Sequence, residues 1–283
     1  MTGHGEDWLD FARDAQSGTE AVRAQFHSHA YDPHFHDQVL VGVTEAGVQQ
    51  FRCRRQLHRS TPGRVILMEP GDVHDGEAGA PSGFVYAMLY FDPAWLRQNA
   101  ALYAGRAESD GVWHFPQTLA DDPALAAAIA AAYRQIAQPD SRMAREAALD
   151  QVVALLSQRF LGAATQRETA PRLAQRAKDA IDALCEQDIG LQDLVALAGA
   201  ADRFRLHRAF KAAYGLPPHA YLVQRRLSRA RQWLAKGMTP AEVAAGLSFA
   251  DQSHLGRWFK RAYGMTPAAY RAACTNLPDA RLA

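Results

Sequence analysis

The sequence predicts a two-domain α+β protein: an N-terminal β-barrel with flanking helices, then an all-α domain of two helix-turn-helix units joined by a long helix. Three observations lead there. Short β-branched and aromatic runs separated by turn residues fill residues 27–91, the hydrophobic period turns helical after residue 123, and one segment of the last third recurs at an offset of 49.

The bulk properties set the frame. A chain of 283 residues suits two domains, and 48% hydrophobic with 22% charged residues supports real cores. No apolar run is long enough for a membrane span, and the acidic start MTGHGEDWLDFARD lacks a leader pattern. Cys53, Cys185 and Cys274 lie far apart, with neither disulfide-framework nor zinc-finger spacing, so the expected location is the reducing cytoplasm, at the nucleoid. The net charge of +1 hides an asymmetry: residues 171–283 hold 17 Lys and Arg against 9 Asp and Glu, and residues 1–170 hold 14 against 21. The basic half expects an anionic partner.

The barrel strands are VLVGVTE at 39–45, VQQFRCR at 48–54, VILME at 65–69 and FVYAMLYF at 84–91, with breaks such as Ala46-Gly47, Pro62-Gly63 and Pro70-Gly71. In the second run Phe51 and Cys53 alternate with Arg52 and Arg54, the pattern of a half-buried strand. The run at 84–91 is apolar on both faces and expects cover on both. From Pro123 to Phe160 two stripes follow a helical period: Leu125, Ile129, Tyr133, Ile136, then Leu149, Val152, Val153, Leu156, Phe160. These stripes allow either packing on the barrel or a dimer interface. Polar residues 162–172, with Pro171 near the end, read as a linker.

The repeat is the strongest signal. Residues 191–221 and 240–270 share 13 of 31 positions, among them Asp202/Asp251, Leu206/Leu255, Arg208/Arg257, Phe210-Lys211/Phe259-Lys260 and Tyr214-Gly215/Tyr263-Gly264. Each copy reads as a short helix, a turn, an Asp-capped second helix and a Gly stop. A basic second helix suits the DNA major groove, where Arg pairs with guanine and His or Gln meets base edges. Between the copies, residues 219–236 form one helix carrying Arg225, Arg226, Arg229 and Arg231, with Arg225 expected to meet a phosphate.

The repeat, the linking helix and the ending FADQSHLGRWFKRAYGMTPAAYR resemble the DNA-binding domain of the AraC/XylS family of bacterial transcriptional regulators. The resemblance covers about residues 171–275. It implies base-reading positions at Phe204, His207 and Arg208 in the first unit and at Gln252, Ser253, His254 and Arg257 in the second; Arg203, on the same exposed face, is a further DNA-binding candidate, and Arg225, Lys211 and Lys260 are expected on phosphates. Two departures stand out. Ser248 occupies a turn where the family usually has Gly, and a non-Gly residue at positive φ costs roughly 1–2 kcal/mol. Gly256 offers no side chain where the first unit has His207, so the second unit is expected to read fewer bases.

Residues 27–91 resemble the cupin-like ligand-binding domain found N-terminal in many members of this family. The carrying features are His34-Phe35-His36 and the stretch from Gly63 through Pro70-Gly71 to His74. In metal-binding cupins two such His, a Glu and a later His converge on one ion. Here His34, His36 and His74 match, but Leu40 and Val41 occupy the region of the Glu. The resemblance therefore implies either contacts to an organic effector, with Tyr86 and Met88 lining the site, or a zinc or other divalent ion at the three His, with no cofactor as the leading expectation.

The predicted layout is a cupin-like sensor at 1–122, a helical dimerisation segment at 123–162, a linker at 163–172 and a double helix-turn-helix DNA-binding domain at 173–283. The expected protein is a homodimeric, effector-controlled transcription factor, with double-stranded DNA as partner, and RNA polymerase too if it activates. It is not expected to be an enzyme. Two alternatives stay open: a metal-dependent cupin enzyme fused to a DNA-binding module, and an effector-independent DNA binder.

Overall fold

The computed structural model describes residues 7–104, 114–138, 141–160 and 171–275. Two compact units emerge, one built mainly on described residues up to 160 and the other mainly on residues 171–275. No described helix is long and apolar enough to cross a membrane.

The N-terminal unit holds β1 (Trp8–Arg13), β2 (Glu20–Phe26), β3 (Tyr31–His34), β4 (Val39–Gly47), β5 (Gln49–Cys53), β6 (Gln56–Ser60), β7 (Arg64–Met68), β8 (His74–Ala78), β9 (Phe84–Phe91) and β10 (Leu119–Asp121). Its helices are α1 (Pro93–Ala104), α2 (Pro123–Ala137) and α3 (Arg142–Phe160). One sheet runs β1-β2-β9-β4-β7-β10 and the other β3-β8-β5-β6. The alternation of the central strands decides which side chains face which layer. Val39, Val41 and Val43 join Leu67, Leu89 and Phe91 under α2 and α3. Leu40, Ile66, Met68, Tyr86 and Met88 point the other way and meet Phe51 and Cys53 of the second sheet, forming the barrel interior. The run at 84–91 is covered on both faces, as its composition required.

The helical stripes are used up on the barrel. Leu125, Ile129, Tyr133, Ile136, Leu149, Val152, Val153 and Leu156 are all buried in the layer against the first sheet. Each such aliphatic side chain contributes about 1.5–3 kcal/mol, so the stripes go to this sheet rather than to a partner. Ion pairs fix α3: Arg145 to buried Asp14 at 2.8 Å and Arg159 to Asp122, the N-cap of α2, at 2.7 Å.

The C-terminal unit comprises α4 (Arg172–Leu184), α5 (Leu191–Ala198), α6 (Arg203–Tyr214), α7 (Pro218–Ala235), α8 (Pro240–Gly246), α9 (Gln252–Tyr263) and α10 (Pro267–Thr275). The sequence reading missed α4, whose inward positions are Ala174, Ala177 and Ile181. It also missed β1, β2 and α1, which flank the strongly patterned strands. Most of the expected linker lies outside the described residues.

Candidate functional site

The helical unit is two copies of one device. In the first copy, α5 ends at Gly199 in the left-handed region (φ 67), and Asp202 caps α6 by accepting from the N–H groups of Phe204 and Arg205 at 2.8 Å. In the second, α8 begins with a capping box of Thr239 and Glu242, and Asp251 caps α9 by accepting from the His254 N–H at 2.6 Å. Leu206 and Phe210 of α6, like Leu255 and Phe259 of α9, are fully buried. That fixes the opposite faces outward. Arg203, Phe204, His207, Arg208 and Lys211 are exposed on α6, and Gln252, Ser253, Arg257 and Lys260 on α9. Phe204 is 61% exposed, an unusual state for a large apolar ring, and the Arg203 guanidinium lies 4.9 Å over it.

His254 differs from its neighbours. It is half-buried; the Trp258 indole N–H donates to its Nε2 at 2.9 Å, and the Ala250 N–H faces its Nδ1 at 3.3 Å. A neutral imidazole accepts at one nitrogen only, and the shorter contact is the one to Trp258. The ring braces the start of α9 instead of standing outward.

The arginines of α7 also depart from the expected exposed ring. Arg225, anticipated at a phosphate, is half-buried and pairs with Asp182 of α4 at 2.9 Å. Arg226 donates to the carbonyls of Cys185 (2.9 Å), Gln187 (2.8 Å) and Ser248 (3.0 Å). Arg229 lies 3.5 Å from Glu186, and buried Arg231 sits over the rings of Tyr263 (4.9 Å) and Tyr270 (5.6 Å). For Arg226 the reason is that helix ends and tight turns leave carbonyls unsatisfied, and a charged donor on the central helix supplies the missing bonds.

The turn residue Ser248 has φ 54, the left-handed value its alignment with Gly199 implied. Its hydroxyl donates to the Glu186 carbonyl at 2.9 Å while its own carbonyl accepts from Arg226. Those bonds offset the strain that sequence reasoning saw and did not see compensated. Gly256 lies mid-helix, where glycine costs roughly 0.5–1 kcal/mol relative to alanine, and an added Cβ there would meet nothing within 4 Å.

In the barrel, His34, His36 and His74 are buried, and one ring nitrogen from each falls within 4.8 Å of the others. His36 stacks on His74 at 5.3 Å and meets the edge of Tyr90 at 5.2 Å. Nδ1 of His34 lies 2.7 Å from the Asp32 carbonyl, and Nδ1 of His74 lies 2.9 Å from the Asp72 carbonyl. A carbonyl only accepts, so both Nδ1 atoms carry a proton, and a lone pair of the neutral ring lies on Nε2. Burial lowers the His74 pKa, against the opposing effect of its Asp72 carbonyl bond. Tyr86 is buried with its hydroxyl 3.4 Å from that of Tyr31, and burial raises both phenols. Met88 lies in the interior across from Gly42, where a Cβ would come within 2.6 Å of its sulfur. Sequence reasoning missed Glu69. This buried carboxylate accepts from Arg54 at 2.7 Å and from the Phe115 N–H at 2.9 Å, and so ties the Pro70-Gly71 turn to the strand hairpin.

A barrel with a buried polar cluster, followed by a duplicated helix-turn-helix, defines the class of ligand-responsive transcription regulators. Residues 16–153 match the AraC-like ligand binding domain, and residues 195–273 match a helix-turn-helix domain. The chain is a member of the AraC family of transcriptional regulators, not an enzyme. It is 25% identical over 234 residues to the uncharacterized HTH-type transcriptional regulator YbfI of Bacillus subtilis, covering 82% of this chain and 83% of that one. Among solved structures, unsaturated fatty acid bound ToxT from Vibrio cholerae superposes with a TM-score of 0.54 at 11% identity, over 98% of this chain and 99% of that one. An apo ToxT variant gives 0.55 at 11% identity, over 95% and 98%. At that identity the likeness is one of fold.

Proposed function

We propose that this regulator reads two successive major-groove segments and that a small acid bound in the barrel controls it. Arg203, Phe204, His207 and Arg208 read the first segment, and Gln252, Ser253 and Arg257 the second, with Lys211 and Lys260 on phosphates. The carrying observation is that both helices bury equivalent Leu and Phe residues and so turn equivalent arginines, Arg208 and Arg257, outward. For the effector, the support is the cluster of His34, His36 and His74 in an apolar barrel with Tyr86 and Met88. A carboxylic acid would donate its proton to an Nε2 there and stay paired with that ring while its apolar part fills the interior. The fatty acid bound to ToxT supports the same class. The layout follows: a cupin-like sensor at 1–122, helices to 162, and the reader from 173. A homodimer would use the outward face of α3, where Met143 is 79% exposed beside Ala147 and Gln151. As a cytoplasmic activator it would contact RNA polymerase from the operator. Footprinting on the DNA flanking its own gene, with and without medium-chain carboxylic acids, tests the reading. Two protected segments about one helical turn apart, altered by an acid, would support it. Protection that no acid changes would leave an effector-independent binder.

One observation favours a second reading of the barrel site. The Nδ1–H groups of His34 and His74 are committed to carbonyls, the arrangement that orients metal-binding imidazoles. Three neutral imidazoles fit zinc, with the fourth position left for a ligand. Elemental mass spectrometry of the purified protein distinguishes the readings: stoichiometric zinc that disappears in His34→Ala and His74→Ala would establish the metal.

A further inference from the structure

Gly256 is set apart from the other glycines whose surroundings are described. Gly199, Gly215, Gly237 and Gly264 have positive φ. Gly42, Gly47, Gly79, Gly83 and Gly246 sit where an added Cβ would come within 3.0 Å of a neighbour. Gly76 has Gln49 and Tyr31 at 3.6 Å, and Gly190 opens α5. Gly256 has no left-handed backbone, and an added Cβ there would meet nothing within 4 Å among the described residues. Nothing among the described residues requires a glycine there, and the helix is weaker for having one. The residue follows Gln252 by four positions and Ser253 by three, so it shares their outward face.

We infer that Gly256 is a close-approach position. The backbone of α9 seats against DNA so tightly at this point that a side chain would hold the helix out of the groove. The glycine is then a positioning residue for Gln252, Ser253 and Arg257, not a vacancy left by a missing reader. This rests on the proposal that α9 docks on DNA, and the two ideas fail differently.

The test uses the full chain and a duplex selected by the unsubstituted protein from a randomised pool. Gly256→Ala should raise the melting temperature by about 2–4 °C, the gain of a better helix former with nothing to strike. The same variant should lose at least about tenfold in affinity, with protection lost over one of two segments. Gly256→His, which places the first unit's residue at the matching position, should lose as much or more. Alanine binding within about twofold of the unsubstituted chain, or histidine binding tighter, overturns the inference. So does a lower melting temperature for the alanine variant, since the fold itself would then need the glycine. A single protected segment in the unsubstituted protein would instead sink the docking of α9, and this inference with it.

Discussion

The two helix-turn-helix units share an aromatic triad at the offset of the repeat but anchor it differently. Phe210 meets Tyr214 at 4.8 Å and Tyr221 at 5.3 Å; Phe259 meets Tyr263 at 4.7 Å and Tyr270 at 5.5 Å. In the first unit the Tyr214 hydroxyl donates to Gln175 of α4 at 2.9 Å. In the second, the rings lie under the Arg231 guanidinium of α7. The turns diverge in the same sense. Gly199 adopts its left-handed backbone unaided, whereas Ser248 needs Glu186 and Arg226. The first unit leans on α4, the helix before it, and the second leans on α7, the helix that joins them. A duplicated sequence thus does not mean duplicated energetics.

The sharpest way to break this comparison is to remove what the second unit borrows. Arg226→Ala strips charged donors from three carbonyls, two before α5 and one at the Ser248 turn. The expected loss is about 3 kcal/mol, moderated because the side chain is only half-buried. Urea unfolding should show a lower midpoint and, if α7 is the coupling element, a broader transition. An unchanged midpoint would mean that water replaces those bonds without cost.

Next in size are the readers themselves. Arg208→Ala and Arg257→Ala remove equivalent exposed side chains, and each should cost about 1–3 kcal/mol on the specific site while relaxing preference at one base pair. If Gly256 brings α9 closer to the DNA, Arg257→Ala falls at the upper end. Equal losses on specific and random DNA would show that both arginines only neutralise phosphates. Arg225→Ala is now expected to lower stability rather than DNA affinity, because its partner is Asp182.

What the sequence made legible follows from what kind of signal carried it. The limits of α5, the strand at 84–91, the Asp caps and the left-handed Ser248 turn were all readable, because periodicity, capping and the repeat register are local. The outward faces of α6 and α9 followed from four-residue spacing of Leu and Phe. The fate of the α7 arginines was not readable. Whether Arg226 meets solvent or a carbonyl depends on Cys185 and Ser248, residues distant in sequence. The histidines could be listed but not oriented, since their Nδ1 partners are backbone atoms that carry no sequence signature. Glu69 was hidden for the same reason, its role depending on Arg54 and Phe115.

A smaller effect sharpens the contrast at the turns. Ser248→Ala keeps the left-handed strain and loses the hydroxyl bond to Glu186, so it should destabilise by about 1 kcal/mol. Ser248→Gly loses the same bond but relieves strain of roughly 1–2 kcal/mol, and should be neutral to slightly stabilising. Thermal melts of the pair check this; alanine matching glycine would mean that the turn is not strained.

The smallest effect concerns acid, and it acts at two helix starts. The Asp202 carboxyl is held below the usual carboxylate range, chiefly by the Arg205 N–H, then by the Phe204 N–H and the charge of Arg208. In the second unit a lowered carboxyl is that of Glu242, in the capping box of α8, where the N–H and hydroxyl of Thr239 hold it down. A depressed carboxylate contributes stability that is present above its unfolded value, about 3.9 for Asp and 4.3 for Glu, and is lost as pH falls through the folded value. Acid below about pH 4 should therefore loosen the start of α6 through Asp202 and the start of α8 through Glu242. Asp202→Asn keeps an acceptor oxygen for the cap and cannot titrate. The melting temperature of the unsubstituted protein should exceed that of Asp202→Asn near neutrality, and the gap should close as pH falls below about 4. High salt should narrow the gap only partly, because it screens Arg208 and leaves the cap bonds in place. A gap that stays constant with pH would show that the Asp202 cap acts through geometry alone.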